Sequence, residues 1–209
     1  MTRRDVDLVR KIASVLLPYP TQQTVERAPD LTAAARTLPT HLGVPVLRFL
    51  DHLSTTDLVA VQAHYVATFD MKRKCCLYLS YYLNGDTRRR GMALVGFKEV
   101  YRSAGLELDT EELPDYLPVV LEFSVVGDRD VAEELLGAHR RGLAVLRMAL
   151  SDLASPYVDL IDAVELTLPP TSSLDLESAA VLAVQGPPRE EVGLEPFGPP
   201  ELTGLGVRS

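Results

Sequence analysis

Gly85-Asp86-Thr87-Arg88-Arg89-Arg90-Gly91-Met92-Ala93-Leu94-Val95-Gly96-Phe97-Lys98-Glu99-Val100-Tyr101-Arg102-Ser103-Ala104-Gly105 reads as one helix between two glycine stops. The apolar positions Ala93, Phe97, Val100, Tyr101 and Ala104 keep the spacing of three and four that gathers them on one helical face, and Gly105 supplies a left-handed stop. Gly85-Asp86 ends the preceding element and caps this one. Three arginines, Arg88, Arg89 and Arg90, then fall in the first turn, where the helix macrodipole disfavours each exposed cation by roughly 0.3 to 1 kcal/mol. Either neighbouring acids such as Asp86 neutralise them, or one or two of them organise a recognition surface. Successive helical positions lie about 100° apart, so all three cannot enter one groove.

The same period extends outward in both directions. Upstream, residues 73–83 are apolar on several sides and read as a buried central helix. Ser54-Thr55-Thr56-Asp57 has the form of a capping box with Asp in place of Glu, opening a helix to about Asp70 with Leu58, Val61, Tyr65, Thr68 and Phe69 on one face. Residues 44–53, starting close to Pro45, a short segment near 30–38, and residues 5–17, stopped by Pro18-Tyr19-Pro20, complete the N-terminal part. Downstream, Asp115 reads as the cap of a helix to Val126 closed by Gly127, and Asp128 as the cap of a helix from Arg129 to about Ala154. Ser155-Pro156 opens residues 157–168. Nothing alternates with period two for long enough to make a strand. The expected fold is all-α, a single helical-bundle domain over residues 1–168.

After Pro169-Pro170 the composition shifts: seven of the 15 prolines and a net charge of -4 fall in residues 169–209. This segment reads as an irregular Pro/Gly-rich acidic tail, partly disordered, in which residues 174–184 could form a short helix. Across all 209 residues, 46% hydrophobic and 24% charged side chains suffice for a core of ordinary size. The formal charge of -8 argues against a nucleic acid held through its phosphates and favours a basic protein or peptide. No apolar run is long enough to span a bilayer, so direct membrane insertion is not expected, and the N-terminus lacks a signal-peptide core. Cys75 and Cys76 are neighbours and cannot staple distant parts of the chain, which suits a reducing cytoplasm.

Catalytic patterns are missing. There is no G-x-S-x-G and no phosphate-binding P-loop, and the four histidines are scattered without the Glu-x-x-His spacing of carboxylate metal bundles. Adjacent thiols also lack the C-x-x-C spacing of zinc and redox sites. The chain reads as a non-enzyme without a metal site, and its two cysteines as ordinary buried thiols.

A second block, Leu113-Pro114-Asp115-Tyr116-Leu117-Pro118-Val119-Val120-Leu121-Glu122-Phe123, sets a carboxylate in an almost wholly apolar helix. Asp115, Pro118, Val119 and Glu122 share one face, and Leu117, Val120, Leu121 and Ser124 another. Such a helix is expected to be buried, and a buried Glu122 must be paired or protonated. It either forms an internal ion pair or lines a groove for a partner helix. Tyr65 and Phe69 form an aromatic pair at i, i+4, suited to core packing or to partner contact.

Tyr65-Val66-Ala67-Thr68-Phe69-Asp70 with Lys72-Arg73-Lys74-Cys75, the Gly85–Leu94 block and the Leu113–Phe123 block together resemble, in sequence and order, the NarJ-type assembly chaperones of respiratory nitrate reductase, also called its delta subunit. The resemblance covers about residues 5–168. It implies the all-helical fold of the wider family of molybdenum oxidoreductase chaperones. It further implies a cytoplasmic protein that binds the apo catalytic (alpha) subunit through an amphipathic N-terminal segment. Such a chaperone assists insertion of molybdenum cofactor and an iron-sulfur cluster before membrane docking, and holds no cofactor permanently itself. In the wider family Asp-His opens the second block, whereas here Tyr116 follows Asp115, so a role needing an imidazole does not transfer to this position.

Both readings suit a basic amphipathic helix received by an acidic helical body. Tyr65, Phe69, Tyr116 and Val119 are expected to form an apolar wall, with Asp70, Asp115 or Glu122 near the basic side chains, and Arg88, Arg89 and Arg90 a recognition surface. The rival readings are a generic helical scaffold or regulator, a chaperone for a related molybdenum oxidoreductase, and a carrier of the cofactor.

Overall fold

A computed structural model describes residues 1–108 and 111–169, together with Ala179, Val181, Leu182, Gly186 and Pro188. Among the described residues ten α-helices follow one another: α1 Arg3–Leu16, α2 Gln22–Ala35, α3 Thr40–Thr55, α4 Leu58–Tyr65, α5 Leu79–Asn84, α6 Arg88–Ser103, α7 Leu117–Val126, α8 Arg129–Ala138, α9 Arg140–Asp152 and α10 Val158–Leu166. No strand occurs among them, only an isolated antiparallel bridge between Tyr78 and Tyr116. The expected all-α body is observed.

The centre is α7, whose Leu117, Val120 and Leu121 are fully enclosed. α1 lies along it and contributes Val9, Ile12 and Leu16, while α10, through Leu160, Ile161 and Val164, packs on α3, α9 and α1. Each such aliphatic side chain contributes roughly 1.5 to 3 kcal/mol on burial. α1 starts with a complete capping box, in which Asp5 N–H donates to the Thr2 hydroxyl at 3.2 Å and Thr2 N–H to the Asp5 carboxylate at 2.7 Å. A buried cation ties α1 to two further helices. Arg10, with no exposed side-chain surface, donates to the Thr167 hydroxyl at 3.0 Å and pairs with Glu133 at 3.0 Å.

Several expected elements take another form. α2 is longer than the segment near 30–38, because the Thr21–Thr24 hydroxyl exchange starts it at Gln22 and Pro29 is accommodated inside it. α3 begins at Thr40, with Pro45 within it. Ser54 and Thr55 belong to the end of α3, where both hydroxyls donate back to the Asp51 carbonyl, so the capping box does not form; Asp57 alone caps α4 through Val59 N–H at 2.9 Å. Thr87 and not Asp86 occupies the cap position of α6. The expected helix over 73–83 shortens to a 3-10 turn at Arg73–Cys75, an extended crossing, and α5. The expected helix over 129–154 breaks at His139, whose ring Nδ1–H donates to Leu135 O (2.9 Å) and whose ring packs 5.0 Å from Phe97. That break brings Gly142 of α9 against the Tyr82 ring, where a Cβ would come within 2.8 Å of it. Most of the expected tail, and most of the expected short helix over 174–184, lie outside the described residues. Ala179, which is described, is buried in the main core, and Leu182 packs against it.

Candidate functional site

The two sequence blocks meet at the Tyr78–Tyr116 bridge. Leu79 N–H donates to Asp115 O at 2.9 Å and Leu117 N–H to Leu77 O at 2.8 Å. Asp115 does not cap its own helix as expected. Its carboxylate reaches the start of α5, where it accepts the Ser80 amide at 3.2 Å and the Ser80 hydroxyl at 2.6 Å. The geometry is that of a helix cap supplied from a different segment, because the bridge sets Asp115 beside the unsatisfied first amides of α5. Tyr101 OH donates to Pro114 O at 2.6 Å and pins the same loop from α6.

From this crossing an aromatic seam runs to the N-terminal helices. The Tyr78 and Tyr116 rings lie 5.2 Å apart, and the Tyr116 and Tyr65 hydroxyls 3.4 Å apart. Tyr65 then contacts Phe69 at 4.7 Å and Tyr19 edge-on at 5.4 Å. Phe69 is presented by a π-helical turn, Val66–Asp70, that continues α4; such turns widen a helix by one residue and recur at functional sites. Beneath both rings sits Tyr157, 5.7 Å from Tyr65 and 4.9 Å from Phe69, with His64 stacked on its far side and bonded to the Ser155 hydroxyl at 2.8 Å. The Tyr157 hydroxyl is buried and has no hydrogen-bond partner among the described residues. Burial lifts the hydroxyls of Tyr65 and Tyr116 well above the usual phenol range, so both are neutral at any physiological pH.

The rim of the seam mixes apolar, acidic and basic side chains. Val66, Met71 (72% exposed), Leu113 and Tyr19 face solvent, with exposed Asp70 beside them and Glu112 at 3.5 Å from the Tyr78 hydroxyl. Lys72, Arg73 and Lys74 follow Met71 and are exposed as well.

Thus Tyr65, Phe69 and Tyr116 come together, and Asp70 lies at their edge. Val119 and Glu122 do not join them. They sit on the adjoining flank of α7, lining with Leu106, Leu108, Phe123 and Val126 a cleft of about 230 Å³. Glu122 is half-exposed, contrary to the expectation of burial, because its carboxylate turns toward α1, where Lys11 lies at 2.5 Å and the Ser14 hydroxyl at 3.1 Å. The internal ion pair is therefore present. Asp115 faces inward and has no exposed surface. Of the three arginines, Arg88 and Arg89 are exposed, whereas Arg90 pairs with Asp86 at 3.1 Å and lies over the Tyr78 and Tyr81 rings at 5.4 and 5.8 Å. Cation–π contact of about 0.5 to 1 kcal/mol helps offset its place at the positive end of the helix.

Sequence reasoning missed Tyr19, Tyr78 and Tyr157. Tyr19 was visible only as part of a proline stop, and Tyr157 only as a residue following Ser155-Pro156. Neither thiol is poised for chemistry: burial pushes Cys75 and Cys76 up to about 11 each. Among the described residues no cluster of His, Cys, Asp and Glu is arranged to hold a metal ion.

Comparison with known proteins places this architecture. The sequence model of the family described as nitrate reductase delta subunit matches residues 27–162. The nitrate reductase-like protein NarX of Mycobacterium tuberculosis is 36% identical over 76% of this chain and 24% of its own length. The nitrate reductase molybdenum cofactor assembly chaperone NarJ of Escherichia coli K12 is 34% identical over 72% of this chain and 65% of its own. The probable nitrate reductase molybdenum cofactor assembly chaperone NarJ of Bacillus subtilis is 28% identical over 77% of this chain and 88% of its own. The chain therefore spans about a quarter of the NarX relative and two thirds to nine tenths of these chaperones. In three dimensions it shares its fold with the crystal structure of a protein put forward as a redox enzyme maturation protein from Archaeoglobus fulgidus, with a TM-score of 0.58 over 79% of this chain and 94% of that one at 22% identity.

Proposed function

The chain belongs to the nitrate reductase delta subunit family, and on that premise we propose that it is a system-specific, non-catalytic chaperone of a respiratory nitrate reductase. Its client is the apo catalytic (alpha) subunit, bound through an amphipathic N-terminal segment. While bound, the client is held competent for insertion of molybdenum cofactor and an iron-sulfur cluster, before it docks on its membrane anchor. The cofactor is cargo of the client and not a resident group of the chaperone. The relatives named as molybdenum cofactor assembly chaperones support this reading.

The observation that carries it is the aromatic seam with its mixed rim. An amphipathic helix docks through apolar anchors at i, i+3, i+4 and i+7. Half-buried Phe69 and the exposed Met71 and Leu113 offer apolar contact, backed by the buried Tyr65 and Tyr116, and Asp70 and Glu112 are the acids at hand for basic side chains of such a helix. The Val119 and Glu122 flank of α7 forms a second wall, with Lys11 holding the Glu122 carboxylate. The net charge of -4 on residues 1–168, half of the total of -8, steers a basic segment toward the body. Asp115 acts from behind, fixing the loop that presents Tyr116. We place this activity in the cytoplasm, where the apo client is made; no helix among the described residues is long and apolar enough to cross a membrane.

Affinity capture with the tagged full chain from cells respiring nitrate tests the proposal. Selective enrichment of the apo catalytic subunit is the expected result. Equal recovery of unrelated proteins would favour a generic scaffold, and molybdopterin fluorescence from the chain purified without its client would favour a cofactor carrier.

A further inference from the structure

The last described residues lead back to the turn that carries the arginines. Ala179 is buried among the helices of the body and Leu182, one turn on, packs against the same cluster. Gly186, at φ +75, closes that stretch by donating its amide to Leu182 O at 2.8 Å. Two residues later the carbonyl of Pro188 lies against Gly85, so closely that any Cβ on Gly85 would run into it. The chain is thus delivered to the start of α6.

The outer face of α6 suits an incoming segment. Arg88, Met92 and Val95 lie within about 60° of one another around the helix. Met92 is 74% exposed and Val95 47%, an apolar step beside exposed Arg88 and Arg89. Gly91 and Gly96 flank that step, and among the described residues nothing lies within 4 Å of the place a Cβ would take at either. Glycine weakens a helix interior relative to alanine. Neither glycine is demanded by a neighbour in the body, and together they leave room for a second backbone to approach.

The sequence beyond Pro188 is complementary to that face. Arg189-Glu190-Glu191-Val192-Gly193-Leu194-Glu195-Pro196-Phe197 sets two acids ahead of three apolar residues. An extended chain advances at most about 3.6 Å per residue, so Glu190 and Glu191 start within roughly 7 to 11 Å of Pro188. Arg88 and Arg89 stand three and four positions past Gly85, and carboxylates are favoured at the helix N-terminus where arginines are not.

We propose that residues 189–197 dock along this face of α6 as an intramolecular strap, with Glu190 and Glu191 on Arg88 and Arg89 and with Val192 and Leu194 against Met92 and Val95. The inference is independent of the chaperone reading. The test replaces Met92 in the full chain by the photo-crosslinker p-benzoylphenylalanine, which its exposure allows without disturbing the core. After irradiation in dilute solution, mass spectrometry is expected to find the tryptic peptide that carries Val192 and Leu194, Glu190–Arg208 in the parent and Val192–Arg208 in the Glu190→Lys/Glu191→Lys chains, joined to the α6 peptide within one molecule. The yield should drop at least fivefold in Glu190→Lys/Glu191→Lys and recover when Arg88→Glu/Arg89→Glu is added. Crosslinks to a second copy, crosslinks confined to other segments, absence of any tail crosslink, or a yield indifferent to both charge reversals would each overturn the proposal.

Discussion

Asp115 caps a helix to which it does not belong: its carboxylate binds the amide and the hydroxyl of Ser80, which stands 35 residues earlier. These two bonds join the second sequence block to α5 and hold the loop that carries Tyr116. Bonds to a charged acceptor contribute about 1.5 to 3 kcal/mol each, and a buried donor left unpaired is destabilising. Asp115→Ala is expected to lower the unfolding free energy by about 2 to 3 kcal/mol, and Asp115→Asn by less, since an amide oxygen still accepts. Urea denaturation of both variants measures this, and two equal, negligible losses would show that the cap contributes nothing.

The Lys11–Glu122 pair should behave quite differently. Both side chains are nearly half-exposed, so water and salt screen their attraction. Glu122→Gln should change stability by less than about 1 kcal/mol, and the difference should vanish in high salt. Thermal denaturation at two ionic strengths checks it.

Stability should fall on mild acidification. Burial lowers His64 and His139 below the usual imidazole range, with His52 adding to the effect at His64. In the unfolded chain both titrate near 6.5, so the unfolded state takes up protons first. The stability held by the neutral rings is therefore complete above that value and is lost as pH falls from it through the depressed folded values. Asp159 and Glu165, raised by burial, slope the other way, so each variant is compared with the parent at every pH. His64→Gln and His139→Gln should each flatten the profile of urea midpoints between pH 7.5 and 5.5; parallel profiles would contradict the assignment.

Gly85 combines φ +57 with ψ -155, a region essentially reserved for glycine. Gly85→Ala should destabilise the protein by about 1 to 3 kcal/mol through backbone strain alone, with a further loss from the Pro188 contact. Gly91→Ala, on an exposed stretch of α6, is the control that should not destabilise the helix.

Helices built on a local repeat were legible in the sequence. α1, α6 and α7 lie close to where the spacing of Val6, Val9 and Ala13, of Phe97 and Tyr101, and of Leu117, Val120 and Leu121 puts them. The crossing of Leu77–Leu79 by Asp115–Leu117 was not, because a bridge of one residue pair has no period and its halves are distant in sequence. The apolar residues 73–83 therefore read as helix. The break at His139 was hidden for the opposite reason: Leu135, Leu136, His139, Leu143 and Leu146 keep helical spacing straight through it. At the candidate site the i, i+4 pair of Tyr65 and Phe69 was visible, but Tyr19 and Tyr157 reach them from distant segments. Apolar neighbours suggested a buried Glu122, whereas Lys11, 111 residues away, draws its carboxylate to the surface.

The central claim is that the seam around Tyr65, Phe69 and Tyr116 receives the amphipathic N-terminal segment of the catalytic subunit. Titration calorimetry of the full chain with a synthetic peptide of that segment tests it most directly. The expected result is one-to-one binding that weakens with salt and falls at least about tenfold, or 1.4 kcal/mol, in a folded Phe69→Ala variant. No binding by the parent chain, or the same affinity in folded Phe69→Ala and Tyr116→Ala variants, would contradict it.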